Sequence, residues 1–194
     1  MKLKELTLEN CEQVRQWRNE CLESLRTPFP LTKEMQEQFY HDVVCNRNAR
    51  ARYWGIHEEI SIPFSKDFLE KIIPKPEKDY YEDVLIIGMV GLENIELENR
   101  RAEISIILNP EYRGKGYGEQ AVDLLLEQGF MYLNLENIWG EVYSCNKATA
   151  FWAKILKKYN GSCAILPNTK YWDGKYYDSA FFNINKEEWL KCQK

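Results

Sequence analysis

Near the middle of this chain an alternating β-run meets three glycines at every second residue, and a helical pattern begins at once. Residues 101–108 read RAEISIIL, a strand by alternation and β-branched content. After Asn109-Pro110 comes Arg113-Gly114-Lys115-Gly116-Tyr117-Gly118. From Gly116 to about Leu133, Ala121, Val122, Leu125, Leu126 and Phe130 recur along one helical face. Glycines at alternate positions let successive backbone N–H groups point into one concavity without Cβ interference. The helix adds its first-turn N–H groups and the positive end of its dipole. Such a turn suits a pyrophosphate, with Arg113 and Lys115 supplying charge. A plainer reading stands beside it, because any loop needing positive φ before a helix shows the same glycines. Other nucleotide motifs fit poorly. Lys115 is followed by Gly116 rather than Ser or Thr, and G-x-G-x-G is not the dinucleotide-binding spacing.

The flanking pattern is mixed. Residues 1–8 alternate as an opening strand, and residues 9–25 carry Val14, Trp17, Cys21, Leu22 and Leu25 at helical steps until Thr27-Pro28-Phe29-Pro30. Thr32 is placed to N-cap a second helix over 33–44, with Glu34 in its first turn. Further strands are predicted at 52–57, 84–95, 137–144, 162–166 and 176–184, the last entered through Asp173-Gly174. Gly88 and Gly91 read as bulge points. A helix over 146–159 turns Phe151, Trp152, Ile155 and Leu156 inward as core packing. The order predicts an α/β (α+β) fold, a single domain over 1–194 with a mostly antiparallel mixed sheet flanked by helices. Residues 60–83 interrupt it with three prolines and read as an insertion. Its Phe64, Phe68 and Leu69 are too apolar for a free loop and predict a lid or wall beside a cleft, or a subunit contact as in a homodimer.

Composition narrows the function. A formal net charge of −4 argues against a general nucleic-acid binder, which carries a basic face. The six cysteines lack C-x-x-C spacing and two histidines are too few for most zinc patterns, so free thiols and no metal are expected. His41 and His57 read as structural. No apolar run reaches the length of a bilayer span and the start has no signal-like stretch, which predicts a cytoplasmic protein without a membrane.

With these elements in place, the sequence resembles the GNAT superfamily of N-acetyltransferases. The resemblance rests on AEISIILNPEYRGKGYGEQAVDLLLEQGF, where R-G-K-G-Y-G stands for that family's Q/R-x-x-G-x-G/A. The tail YWDGKYYDSAFFNINKEEW is similar to the branch holding ribosomal-protein N-terminal and polyamine acetyltransferases. Trp17-Arg18-Asn19 looks like that branch too, and like nucleotide-amino-sugar acetyltransferases.

The resemblance implies a sheet splayed in the middle, acetyl-CoA as cosubstrate, and acetyl transfer to a primary amine of a small amine, amino sugar or peptide N-terminus. A CoA-sensing module with little catalysis is the alternative. Pantetheine is expected along Ile106 and Leu108, and pyrophosphate on Arg113, Gly114, Lys115, Gly116, Tyr117 and Gly118. Asn146 matches a pantetheine-contacting Asn and equally reads as an N-cap. Glu103 matches a strand glutamate used as a base through water, and equally reads as a surface glutamate paired with Arg100 or Arg101. Where relatives carry a Tyr as general acid, this chain has Trp152 or Ala153, which leaves Tyr143, Tyr176 or solvent.

Overall fold

In the computed structural model, residues 1–58 and 85–193 are described. The insertion at 60–83 therefore lies outside the described residues, with Phe64, Phe68 and Leu69. The described strands are β1 (Lys2–Lys4), β2 (Arg52–Glu58), β3 (Leu85–Glu96), β4 (Arg101–Leu108), β5 (Asn137–Tyr143), β6 (Ser162–Trp172) and β7 (Lys175–Asn185). They form one sheet in the order β1-β2-β3-β4-β5-β7-β6. Every neighbouring pair is antiparallel except β4 and β5. That parallel pair is joined by helix α3 (Tyr117–Glu127, continued by a π turn over Gln128–Tyr132), the crossover that parallel neighbours need.

Strand alternation sends side chains to two cores. On one face α3 and α4 (Thr149–Lys158) pack against the sheet, with Ile87, Val90, Leu92, Leu125, Leu126, Ile138 and Ile155 buried together. Trp152 lies 4.7 Å from Phe182 between ring centroids, so the predicted aromatic stripe is core. On the other face α1 (Leu8–Asn19) and α2 (Lys33–Phe39) enclose Leu6, Cys11, Val14 and Ile86. Thr7 caps α1 in a reciprocal box with Asn10, and Thr32 caps α2 as its position predicts.

Several boundaries differ from the sequence reading. The first helix ends at Asn19, not near residue 25. Arg18 donates to the carbonyls of Thr27 and Phe29, and Asn19 exchanges two hydrogen bonds with Leu31. The chain thus folds back along its own helix, and Leu22 and Leu25 belong to the connection. Gly91 is no bulge point. It pairs in register with Tyr53 and Ser105, and a Cβ there would stand 2.4 Å from the Tyr53 ring, so close packing is its reason. Gly88 does adjoin a register shift, between Ile56 and His57. β6 runs past Pro167 to Trp172 because an edge strand tolerates proline and a bulge at Asn168, φ 55°, carries it on. Asp173 and Gly174 both have positive φ, the conformation a two-residue hairpin favours. A closing helix α5 (Lys186–Lys191), absent from the sequence reading, docks Trp189 against Phe130.

Candidate active site

β4 and β5 pair over only three positions: Arg101 with Asn137, Ala102 with Ile138, and Glu103 with Trp139. Beyond them β4 stays bonded to β3 alone and β5 to β7 alone. The first residue past the pairing is closely packed over. Gly140, the next residue of β5, has the Phe182 ring and Ile104 so close that a Cβ would meet them at 2.5 and 2.9 Å. Ile106 and Leu108 thus lie on the open edge of β4, where an extended ligand arm can add its own hydrogen bonds in strand fashion.

At the end of that edge is the glycine turn. Gly114 and Gly116 have φ of 73° and 89°, a region other residues enter at a cost, and a Cβ on either would meet nothing within 4 Å. Gly116 is the N-cap of α3 and makes no side-chain capping bond, which leaves the first-turn N–H groups of α3 facing open space for an anion. Gly118 is different. It sits inside the helix with Phe151 and Leu108 at 3.2 and 3.3 Å from its notional Cβ, so it serves close packing. Arg113 donates from Nε and Nη2 to the Leu108 carbonyl at 3.1 and 3.0 Å, tying the turn to the end of β4. The Lys115 ammonium lies 5.3 Å over the Tyr112 ring. The Tyr117 hydroxyl donates to Glu58, and that bond raises its pKa. Of Tyr117, only the backbone is then left for a phosphate.

Glu103 is at the fork and is buried, on the face toward α1. Its expected surface partners go elsewhere: Arg100 pairs with Glu136, and Arg101 with Glu96. Glu103 instead accepts from Asn94 Nδ2 at 2.8 Å and from Arg26 at 2.5 Å. Arg26 also reaches Glu141 at 3.0 Å. Tyr143 and Ser179 donate to Glu141 at 3.1 and 2.7 Å. Buried Lys170 donates to the Leu25 carbonyl and lies 5.0 Å over the Tyr143 ring. Burial lowers the pKa of Lys170 and raises that of Tyr143.

Asn146 does not open its helix. The N-cap is Ala148, whose N–H is bonded by the Asn146 side-chain oxygen at 2.8 Å. The side chain orders the turn before the helix, and its NH2 group remains for a ligand. Trp152 is in the core and Ala153 has no acidic proton, so neither supplies an acid. Tyr143 is brought beside Glu141, whereas Tyr176 packs on Tyr171 at the exposed hairpin tip.

Sequence reading missed Arg26, Glu141, Ser179 and Lys170. One signal was present for Glu141: alternation in NIWGEVY places it on the face of β5 opposite Ile138 and Val142. Among the described residues, no cluster of three or more His, Cys, Asp or Glu is placed to hold a metal, and no helix is long and apolar enough to cross a membrane.

A mixed sheet forked at its one parallel pair among the described strands, with a glycine-rich turn at the end of the fork, is the architecture of the GNAT acyltransferases. The family model for the acetyltransferase (GNAT) domain matches residues 1–158, and the chain belongs to that family. Spermidine N(1)-acetyltransferase of Escherichia coli strain K12 is 44% identical over 108 residues, covering 55% of this chain and 56% of that protein. Its Vibrio cholerae counterpart is 34% identical over 111 residues, covering 53% and 61%. This chain thus spans little more than half the length of the curated relatives it matches. Among solved structures, a spermidine N-acetyltransferase mutant from Vibrio cholerae superposes with a TM-score of 0.75 at 18% identity, covering 100% of both chains, a likeness of fold.

Proposed function

We propose that this chain transfers the acetyl group of acetyl-CoA to a primary amine by direct attack, without a covalent enzyme intermediate. The fork between β4 and β5 carries the reading, because it leaves one strand edge open between an anion turn and a buried carboxylate. Ile106 and Leu108 hold the pantetheine arm, the N–H groups of 114–118 hold the pyrophosphate, and the Asn146 NH2 group meets the arm from the other side.

The acceptor arrives from the α1 face, where Glu103 and Glu141 favour a cation. An ammonium has no lone pair, so Glu103 removes a proton through a water before attack. The amine nitrogen then bonds the acetyl carbon, the carbonyl oxygen gathers charge near the Leu108 N–H, and the C–S bond breaks as the nitrogen gives its remaining extra proton to solvent. The released thiolate is protonated by Tyr143 or by solvent. The relatives are named for spermidine, and the paired carboxylates support a small cationic amine as the acceptor over an amino sugar or a peptide N-terminus.

Release of CoA thiol from acetyl-CoA, measured with spermidine, simple diamines, glucosamine 6-phosphate and N-terminal peptides, tests this. Turnover with the cationic amines is expected. Tight CoA binding with no thiol release from any of them overturns the reading in favour of a CoA-sensing module.

A further inference from the structure

Arg26 stands where the acceptor's positive charge has to be held. It belongs to the connection between α1 and α2, yet its Nη2 lies 2.5 Å from Glu103 Oε1 and 3.0 Å from Glu141 Oε2. Nη1 adds a contact to Glu103 at 3.3 Å, and Nε one to Glu141 at 3.3 Å. Both carboxylate side chains are only 9% exposed, whereas the arginine side chain is 52% exposed. Two carboxylates converging out of water on one point repel each other unless a cation sits between them. Here the protein supplies that cation itself, on the group with the easiest route back to solvent.

Other contacts hold both the backbone before Arg26 and the two carboxylates. Lys170 holds the Leu25 carbonyl and Cys145 donates to the Glu23 carbonyl at 3.4 Å, so the backbone before Arg26 is held independently of the two carboxylates that hold its side chain. Asn94, Tyr143 and Ser179 are neutral donors to the same carboxylates. They keep Glu103 and Glu141 oriented when the guanidinium leaves.

We infer that Arg26 is a specificity-determining residue, an internal cation that competes with the acceptor for the Glu103–Glu141 pair and must be displaced before the amine is bound. The inference rests on the amine-acetylation reading and deepens it. Exchange of one cation for another gains little, and a tethered competitor has a high effective concentration. Arg26 therefore screens out single amines and favours acceptors that bring a second positive charge.

The test is calorimetric titration of the full chain with 1,4-diaminobutane and with propylamine, in the absence of acetyl-CoA. Arg26→Gln is expected to bind both at least ~10-fold tighter than wild type, with the larger gain for propylamine, since wild type discriminates against it. Arg26→Lys keeps the charge on a shorter reach and should gain less in the same direction. In wild type, saturating 1,4-diaminobutane should shift the NMR signal of the Arg26 Nε–H. Equal or weaker binding by both variants, or an unmoved Nε–H signal, overturns the inference. Because binding is read without turnover, an absence of thiol release with every amine counts against the acetylation reading alone. Where turnover occurs, KM for the amine should fall in Arg26→Gln while kcat holds.

Discussion

Glu103 of β4 and Trp139 of β5 are the last two residues that face each other across the parallel pair. One position further, Gly140 lies under the Phe182 ring and the strands part. The carboxylate thus stands at the apex of the cleft because of where pairing stops.

That geometry makes Gly140 sensitive to a single methyl group. The added Cβ of Gly140→Ala meets Phe182 and Ile104 at 2.5 and 2.9 Å, and Phe182 is itself backed by Trp152. Overpacking of this kind costs about 1–3 kcal/mol. Urea unfolding should show a lower midpoint with an unchanged m-value; a midpoint equal to wild type would mean that the fork has slack.

The glycine turn separates strain from charge. Gly116→Ala places a methyl group in open space at a φ of 89°, so only backbone strain is added. Gly116→Asp adds a negative charge at the N-terminus of α3 as well. Calorimetry should show acetyl-CoA affinity falling by at least ~100-fold in Gly116→Asp, on the order of 3 kcal/mol, and much less in Gly116→Ala. Equal losses in the two would make the turn a matter of backbone shape alone.

Glu103→Gln keeps the shape of the side chain and its bond with Asn94 but cannot accept a proton. Near neutral pH, kcat/KM should drop on the order of 10²-fold, with acetyl-CoA affinity nearly unchanged. As pH rises toward the pKa of the amine, free base becomes abundant and the deficit should narrow. A constant deficit across the pH range would assign Glu103 to binding rather than to proton removal.

Cys11 sets a limit to stability in alkali. Burial pushes its thiol up to about 11, with a hydrogen bond to Gln36 pulling partly the other way. An unfolded thiol titrates near about 8.5, so the folded state favours the neutral form. This contribution is complete below that pH and is lost as pH rises through about 11. The urea midpoint of wild type should therefore fall more steeply over that window than that of Cys11→Ala. Parallel pH profiles would show that the thiolate forms without opening the core between α1 and the sheet.

Much of this fold was legible because its signals are local. Residues 101–108 alternate within one strand, and Gly114 and Gly116 sit where the backbone itself demands positive φ. Thr32 announces its helix by a bond three residues long. The misses share the opposite property. The first helix reads as longer than it is because Leu22 and Leu25 continue its period, while the bonds that end it run from Arg18 and Asn19 to residues 27–31. Gly91 reads as a bulge because a glycine reports only that space is short, not whether a ring or a register shift has taken it.

The sequence by itself determined that a strand, a glycine turn and a helix would follow one another, and that Glu103 would lie on the strand leading into the turn. These features depend on the torsions and alternation of neighbouring residues. Tertiary structure alone decided what Glu103 faces. Arg26 is 77 positions from it, and the groups that hold Glu141 and the Arg26 connection come from β5, β6 and β7. Electrostatic partners are chosen by distance and burial in three dimensions. No periodicity along the chain records which charge the folded sheet will bring to 2.5 Å from another.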